Sequence, residues 1–119
     1  MSIPRAPAGV GESGRRLWRA VLGEFELAEH ELALLRQAVH VADTCEALQG
    51  VVDTKGELSM SRLGETRAHP ALVELRAQQL LLARLIVALR VPLGDQEESP
   101  AGRPQRRGIR GVYGLESAS

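Results

Sequence analysis

EHELALLRQAVHVADTCEALQGVVDT, residues 29–54, decides the fold. Its apolar positions Leu32, Leu35, Val39, Ala42, Cys45, Leu48 and Val52 recur in steps of three and four, the period of one helical face. Glu29 and Glu31 fall in the first turn, where carboxylates favour the positive end of the helix dipole. At 1.5 Å per residue this helix is about 39 Å long. A compact domain of 119 residues has a radius of gyration of roughly 13.5 Å. A rod of that length needs a partner of similar length, within the chain or in another copy.

PALVELRAQQLLLARLIVALR, residues 70–90, supplies one. Leu72, Leu75, Gln79, Leu82, Leu85 or Ile86, and Leu89 recur at helical spacing. Pro70 suits a first helical position and Pro92 ends the run, giving a helix of roughly 32 Å. Two helices of similar length joined by a short connection predict an antiparallel hairpin. Leu80, Leu81, Leu82, Leu85, Ile86 and Leu89 cover more than one narrow face, so a second helix contact is expected, from the first helix or from a neighbouring copy. Leu82→Ala or Leu85→Ala is expected to cost about 2–5 kcal/mol if the side chain is fully buried.

Between the two helices, Lys55–Gly56 reads as a stop. Leu58, Met60 and Leu63–Gly64 predict a small β-hairpin or ordered loop turning near Gly64. Upstream, Ser13 reads as the cap of a shorter helix over residues 14–25, with Leu17, Val21 and Phe25 in line and Trp18 and Leu22 beside them. Pro4, Pro7, Gly9 and Gly11 mark a loose arm before it. The expected fold is all-α: a long antiparallel helical hairpin, a shorter N-terminal helix, a small β-hairpin or ordered loop between the long helices, and a flexible C-terminal tail. The expected organisation is a flexible arm over 1–12, a helical oligomerisation core over 13–92 and a tail over 93–119. Leu32, Leu35, Val39, Leu75, Leu82, Leu85 and Leu89 are the expected core or oligomer contacts.

Composition agrees with helices. Ala, Leu, Glu and Arg dominate, and aromatics are 3% of the chain, little for a β-sandwich. Cys45 is alone, which excludes an intrachain disulfide and a multi-cysteine zinc site. MSIPRAPAGVG carries no apolar run of signal-peptide length, and Leu80–Leu89 holds Arg84 and is far short of a membrane span. A cytosolic chain with no membrane partner is expected.

The formal net charge is zero, but its distribution is uneven. Residues 1–20 carry +3, 21–65 carry −6, 66–90 carry +3, 91–98 carry −3 and 99–119 carry +3. Basic ends and an acidic middle make head-to-middle contacts between copies electrostatically favourable. Arg15, Arg16 and Arg19 cluster near a helix start, and Arg103, Arg106, Arg107 and Arg110 lie in a Gly- and Pro-rich tail. Both sets are candidate phosphate contacts; each is small, so assembly would multiply a modest affinity. The competing reading of the first set is a solvated basic face. In the tail, Ile109, Val112, Tyr113 and Leu115 stand between glycines after a linker-like segment, and they form a candidate docking peptide.

Catalytic signatures are missing from the sequence. There is no GxxxxGK[ST], GxGxxG or HExxH motif. His30 and His40 are ten residues apart and do not share a helical face, so no metal site is expected. Cys45 sits on the apolar stripe and reads as an inert thiol. Glu24, Glu26, Glu29, Glu31 and Glu46 read as solvated acidic surface rather than a carboxylate pair, and Ser59 and Ser61 have no evident base. No catalytic residue, cofactor or metal is expected.

LWRAVLGEFEL (17–27), HELALLRQAV (30–39), KGELSMSRLGETRAHPAL (55–72) and ALRVPLG (88–94), in this order and spacing, resemble the small subunit of phage terminases. RRGIRGVYGL (106–115) resembles tails of actinobacterial phage and prophage members. The resemblance implies a non-catalytic subunit that assembles as a ring, recognises double-stranded viral DNA in the host bacterial cytoplasm, and regulates the large subunit that carries the ATPase and nuclease. The alternative is a self-associating helical adaptor or regulatory protein without DNA binding. If the tail docks on the large subunit, a chain ending near Pro92 keeps its helical fold and loses stimulation of the large subunit's ATPase.

Overall fold

The computed structural model describes residues 3–90 and the pair 105–106. The fold is all-helical. Helix α1 spans Glu12–Leu22, α2 spans Glu29–Lys55 and α3 spans Pro70–Leu89. Strand β1 is Phe25–Glu26; β2 (Leu58–Met60) and β3 (Thr66–Ala68) form a small antiparallel hairpin between the longer helices; β4 is Gln105–Arg106. Helices α2 and α3 pack along each other as the expected long pair, and α1 packs on α2.

Local chemistry explains most boundaries. The Ala28 N–H donates to Glu31 Oε1 at 2.6 Å, half of a capping box, since alanine has no oxygen to return the bond. Gly56 ends α2 with φ of 93°, a left-handed-side conformation that a β-carbon would disfavour. Pro70 opens α3, and the His69 Nδ1 accepts from the Ala71 N–H at 3.0 Å as a side-chain cap. The β2–β3 register pairs Leu58 with Ala68 and Met60 with Thr66. The turn is held by the Gly64 N–H to the Ser61 carbonyl, with Gly64 at φ 85°, and by Ser61 Oγ accepting from the Leu63 and Glu65 N–H groups. Leu58, Met60 and Leu63 are exposed on this hairpin.

The first helix departs from expectation at both ends. It begins at Glu12, not after Ser13, and Gly11 is its N-cap. It stops at Leu22, where the Gly23 N–H turns back to the Arg19 carbonyl and the Glu24 N–H to that of Val21. Phe25 thus leaves the helix, enters β1 and is buried. The arm before α1 has no regular secondary structure, yet it is tied down. Val10 is buried with Trp18, and the Trp18 Nε1–H donates to the Pro4 carbonyl at 2.8 Å.

The apolar interior forms two clusters. The larger joins α1, β1, the N-terminal half of α2 and the last residue of α3: Trp18, Val21, Leu22, Phe25, Leu35, Val39 and Leu89, with Leu32 packed against it. The smaller sits near the β-hairpin: Val52, Ala71 and Leu75, with Cys45, Leu48 and Leu72 against it. Of the expected core positions, Leu35, Val39, Leu75 and Leu89 are buried, while Leu32, Leu82 and Leu85 are half-buried. The full-burial cost reckoned for Leu82 and Leu85 therefore does not apply within one chain.

Candidate nucleic-acid interface

Arg15, Arg16 and Arg19 are exposed and share one side of α1. Spacings of three, four and seven from Glu12 place all three guanidinium groups around its carboxylate, at 3.5, 3.9 and 3.8 Å. Three positive charges against one negative leave this face cationic. The pairs are solvent-exposed and contribute little to stability. Arg15 Nη1 also donates to the Val10 carbonyl at 2.6 Å, which fixes the side chain beside the arm.

The helix bearing these arginines is anchored by a residue of α2. The Asp43 carboxylate accepts from the Gly11 N–H at 2.6 Å and the Gly14 N–H at 2.7 Å. This cap satisfies two of the donors that a helix start leaves open, and it sets a negative charge at the positive end of the dipole. It offsets the unfavourable placing of Arg15 and Arg16 near that end. Beside it lies a hollow of about 380 Å³ lined by Gly9, Glu12, Ser13, Arg16, Glu46 and Ala47, among others. Ser13, expected as the cap, instead donates its hydroxyl to Glu46 Oε1 at 3.2 Å.

The two arginine sets are placed differently. The backbone of Arg106 pairs with Phe25 in the antiparallel β1–β4 ladder, next to the C-terminal end of α1. Arg103, Arg107 and Arg110 lie outside the described residues, as do Ile109, Val112, Tyr113 and Leu115. The sequence reading missed Asp43, whose partners lie 29 and 32 residues away, and the β1–β4 pairing.

Among the described residues no group of three His, Cys, Asp or Glu side chains could hold a metal ion. No helix among them is long and apolar enough to cross a membrane. His30 and His40 are both exposed on α2. Cys45 is half-buried, and burial pushes its thiol above the ordinary value. The thiolate is the reactive form, so native Cys45 should react with a thiol reagent severalfold more slowly than free cysteine at pH 7. Urea should erase that difference. A native rate equal to that of free cysteine would contradict the packing of Cys45 against Leu48 and Leu72. Compared with known proteins, the chain matches no family model, no curated protein and no solved structure.

Proposed function

We propose that this chain is a small terminase subunit: a non-catalytic protein that self-assembles, binds double-stranded viral DNA and regulates a large ATPase and nuclease subunit during genome packaging. The observation that carries the reading is the cationic face of α1, where Arg15, Arg16 and Arg19 stand exposed beside a single carboxylate on a helix locked by Asp43. A rigid helix start with outward guanidinium groups suits phosphate contacts, which position a protein on a duplex without reading its sequence. The sequence pieces that resemble small terminase subunits support the same reading: they run over the second half of α1 with β1, the first turns of α2, the β-hairpin with the start of α3, and the last residues of α3.

Duplex binding measured by fluorescence anisotropy between 50 and 200 mM salt tests it. Each phosphate contact contributes about 0.9 to the slope of log affinity against log salt, so replacing all three arginines with glutamine should lower that slope by up to about 3 per copy. Glu12→Gln should act in the opposite sense and tighten binding, because it frees three guanidinium groups from a competing carboxylate. Glu12 also favours the second reading, a self-associating helical adaptor, because it cancels part of the positive charge. An unchanged affinity in both variants would reject the α1 face as the DNA contact, and no salt-dependent duplex binding by the parent chain would leave the adaptor.

A further inference from the structure

The turn that ends α1 leaves an extended edge. The Gly23 and Glu24 N–H groups close the last turn of the helix onto the carbonyls of Arg19 and Val21, and α2 starts only at Glu29. The backbone of Phe25 and Glu26 is therefore extended and lies outside both helices. The N–H and C=O groups along such an edge are a template for another strand. That strand comes from the tail of the same chain: β4 pairs antiparallel with β1, Phe25 against Arg106 and Glu26 against Gln105. A two-residue ladder is marginal on its own, so it needs further support and is readily displaced.

Position and charge supply that support. Leu89, the last residue of α3, is buried in one cluster with Phe25, so the chain leaves α3 at the end of the molecule that holds β1. Fifteen residues, 90–104, connect Leu89 to Gln105. Their greatest span, about 50 Å, is ample for a return to the same end. Tethering also gives the strand an effective concentration on the order of millimolar, well above that of a strand from another copy in dilute solution. Phe25 stands between Glu24, which is exposed, and Glu26, which is half-buried, and none of the three is without a partner. Glu29 and Glu31 are held by Arg36 and by the Ala28 N–H, so the charge of this edge rests on Glu24 and Glu26. RPQRRGIR (103–110), the segment that contains β4, carries four arginines and no acidic residue. Opposite signs favour it on this edge over DQEE (95–98) of the same tail, which like charge would repel.

We propose that the turn between α1 and α2, with β1 as its edge, is the docking surface for the basic tail segment of its own chain, and that this strap keeps the tail's arginines from phosphate until it is released. A docked strand lies about 4.8 Å from its neighbour, so its backbone runs within a Debye length, about 8 Å at physiological salt, of Glu24 and Glu26. A phosphate approaching the docked segment meets two carboxylates of its own sign. Released, the same segment offers four guanidinium groups with no carboxylate among them. Duplex DNA and β1 therefore compete for one stretch of chain, and salt loosens the strap by screening. This deepens the proposed function, on which its DNA consequence rests. Arg15, Arg16 and Arg19 are presented at all times on α1, and the tail set is presented only on release.

The test uses the full chain in a Cys45→Ala background. Glu26→Cys with Gln105→Cys sets two thiols opposite each other in the ladder, at a separation that a disulfide spans. Glu26→Cys with Ala101→Cys moves the tail thiol four residues out of register. In dilute protein under mild oxidant, the in-register pair should lose its thiols severalfold faster than the shifted pair and show no covalent dimer on a non-reducing gel. Equal rates would overturn the strap, and covalent dimers from the in-register pair would replace it with strand exchange between copies. The disulfide also locks the strap, and a reductant frees it with every substitution unchanged. Between 50 and 200 mM salt, the slope of duplex binding should be steeper in the reduced form than in the locked form by up to about 3.6, from four arginines at about 0.9 each. The Cys45→Ala chain without the added cysteines should not respond to the oxidant. A locked form that binds duplex with the affinity and slope of the reduced form would overturn the shielding of the tail. Absence of duplex binding in both forms, with the in-register disulfide formed within one chain, would count against the terminase reading and leave the docking surface standing.

Discussion

Leu35→Ala should lower the stability of the fold by about 2–5 kcal/mol, among the largest losses of any single truncation. Leu35 is fully buried at the joint where α1, β1 and the end of α3 meet α2, in one cluster with Trp18, Phe25 and Leu89. Cutting it to Ala removes transfer free energy and leaves a cavity between four elements that are held apart by their own packing. A domain of this size has only about 5–15 kcal/mol in total, so the variant should unfold at a markedly lower urea midpoint. The slope of the transition should stay unchanged if only stability is altered. Leu82→Ala serves as the comparison. Leu82 faces α2 but is half-buried, so its loss should be clearly smaller at the same protein concentration. Fixing the concentration matters, because assembly adds to apparent stability by mass action. Equal midpoints for the two variants would contradict the observed difference in burial.

The long hairpin was legible in the sequence because its signals are local. The stripe from Leu32 to Val52 repeats within one helix, Gly56 and Pro70 punctuate the ends, and Gly64 marks the turn. The structure places α2 and α3 within a residue of the expected limits at each end. The first helix was less legible because its ends are set elsewhere. Its start is capped by Asp43, which no local pattern around Ser13 announces, and Gly23 lets the chain turn so that Phe25 can reach the core. Two-residue strands such as β1 and β4 carry too little pattern to be read, and their pairing joins residues about eighty apart.

For the candidate interface, the basic character of Arg15, Arg16 and Arg19 was legible, and so was the presence of Glu12. What the sequence left open is that one carboxylate lies within 4 Å of all three guanidinium groups. The spacing of three, four and seven residues contained that geometry, but only a defined helix start at Glu12 turns it into contact. On α3, Val73, Leu80, Leu81 and Val87 stay exposed, whereas the sequence pattern showed only that its leucines exceed one narrow face. That α1 leaves these residues uncovered follows from its packing on α2, a matter of tertiary contact that periodicity does not encode.

Gly14→Ala should destabilise the fold, although the same change in an ordinary helix stabilises by up to about 1 kcal/mol. A β-carbon at Gly14 would stand 2.5 Å from Val10 Cγ1, 2.7 Å from the Val39 carbonyl oxygen and 2.9 Å from Asp43 Oδ2. The valine methyl could rotate away, but the Val39 carbonyl belongs to the backbone of α2 and cannot. Helix α1 would have to lift off α2, lengthening the two bonds from Gly11 and Gly14 to Asp43. Overpacking of this kind costs about 1–3 kcal/mol. Asp43→Ala removes the same cap from the other side, and losing a helix cap costs about 0.5–2 kcal/mol, with more where the lost acceptor is charged. Because both changes break one contact, their effects should fall short of additive by at least about 0.5 kcal/mol in the double variant. Both single variants should also weaken DNA binding if the arginine face depends on this anchoring. Urea titration of the four proteins in the cycle measures the coupling. Full additivity would show that Gly14 and Asp43 act separately, and a Gly14→Ala variant more stable than the parent would refute the close approach of α1 to α2.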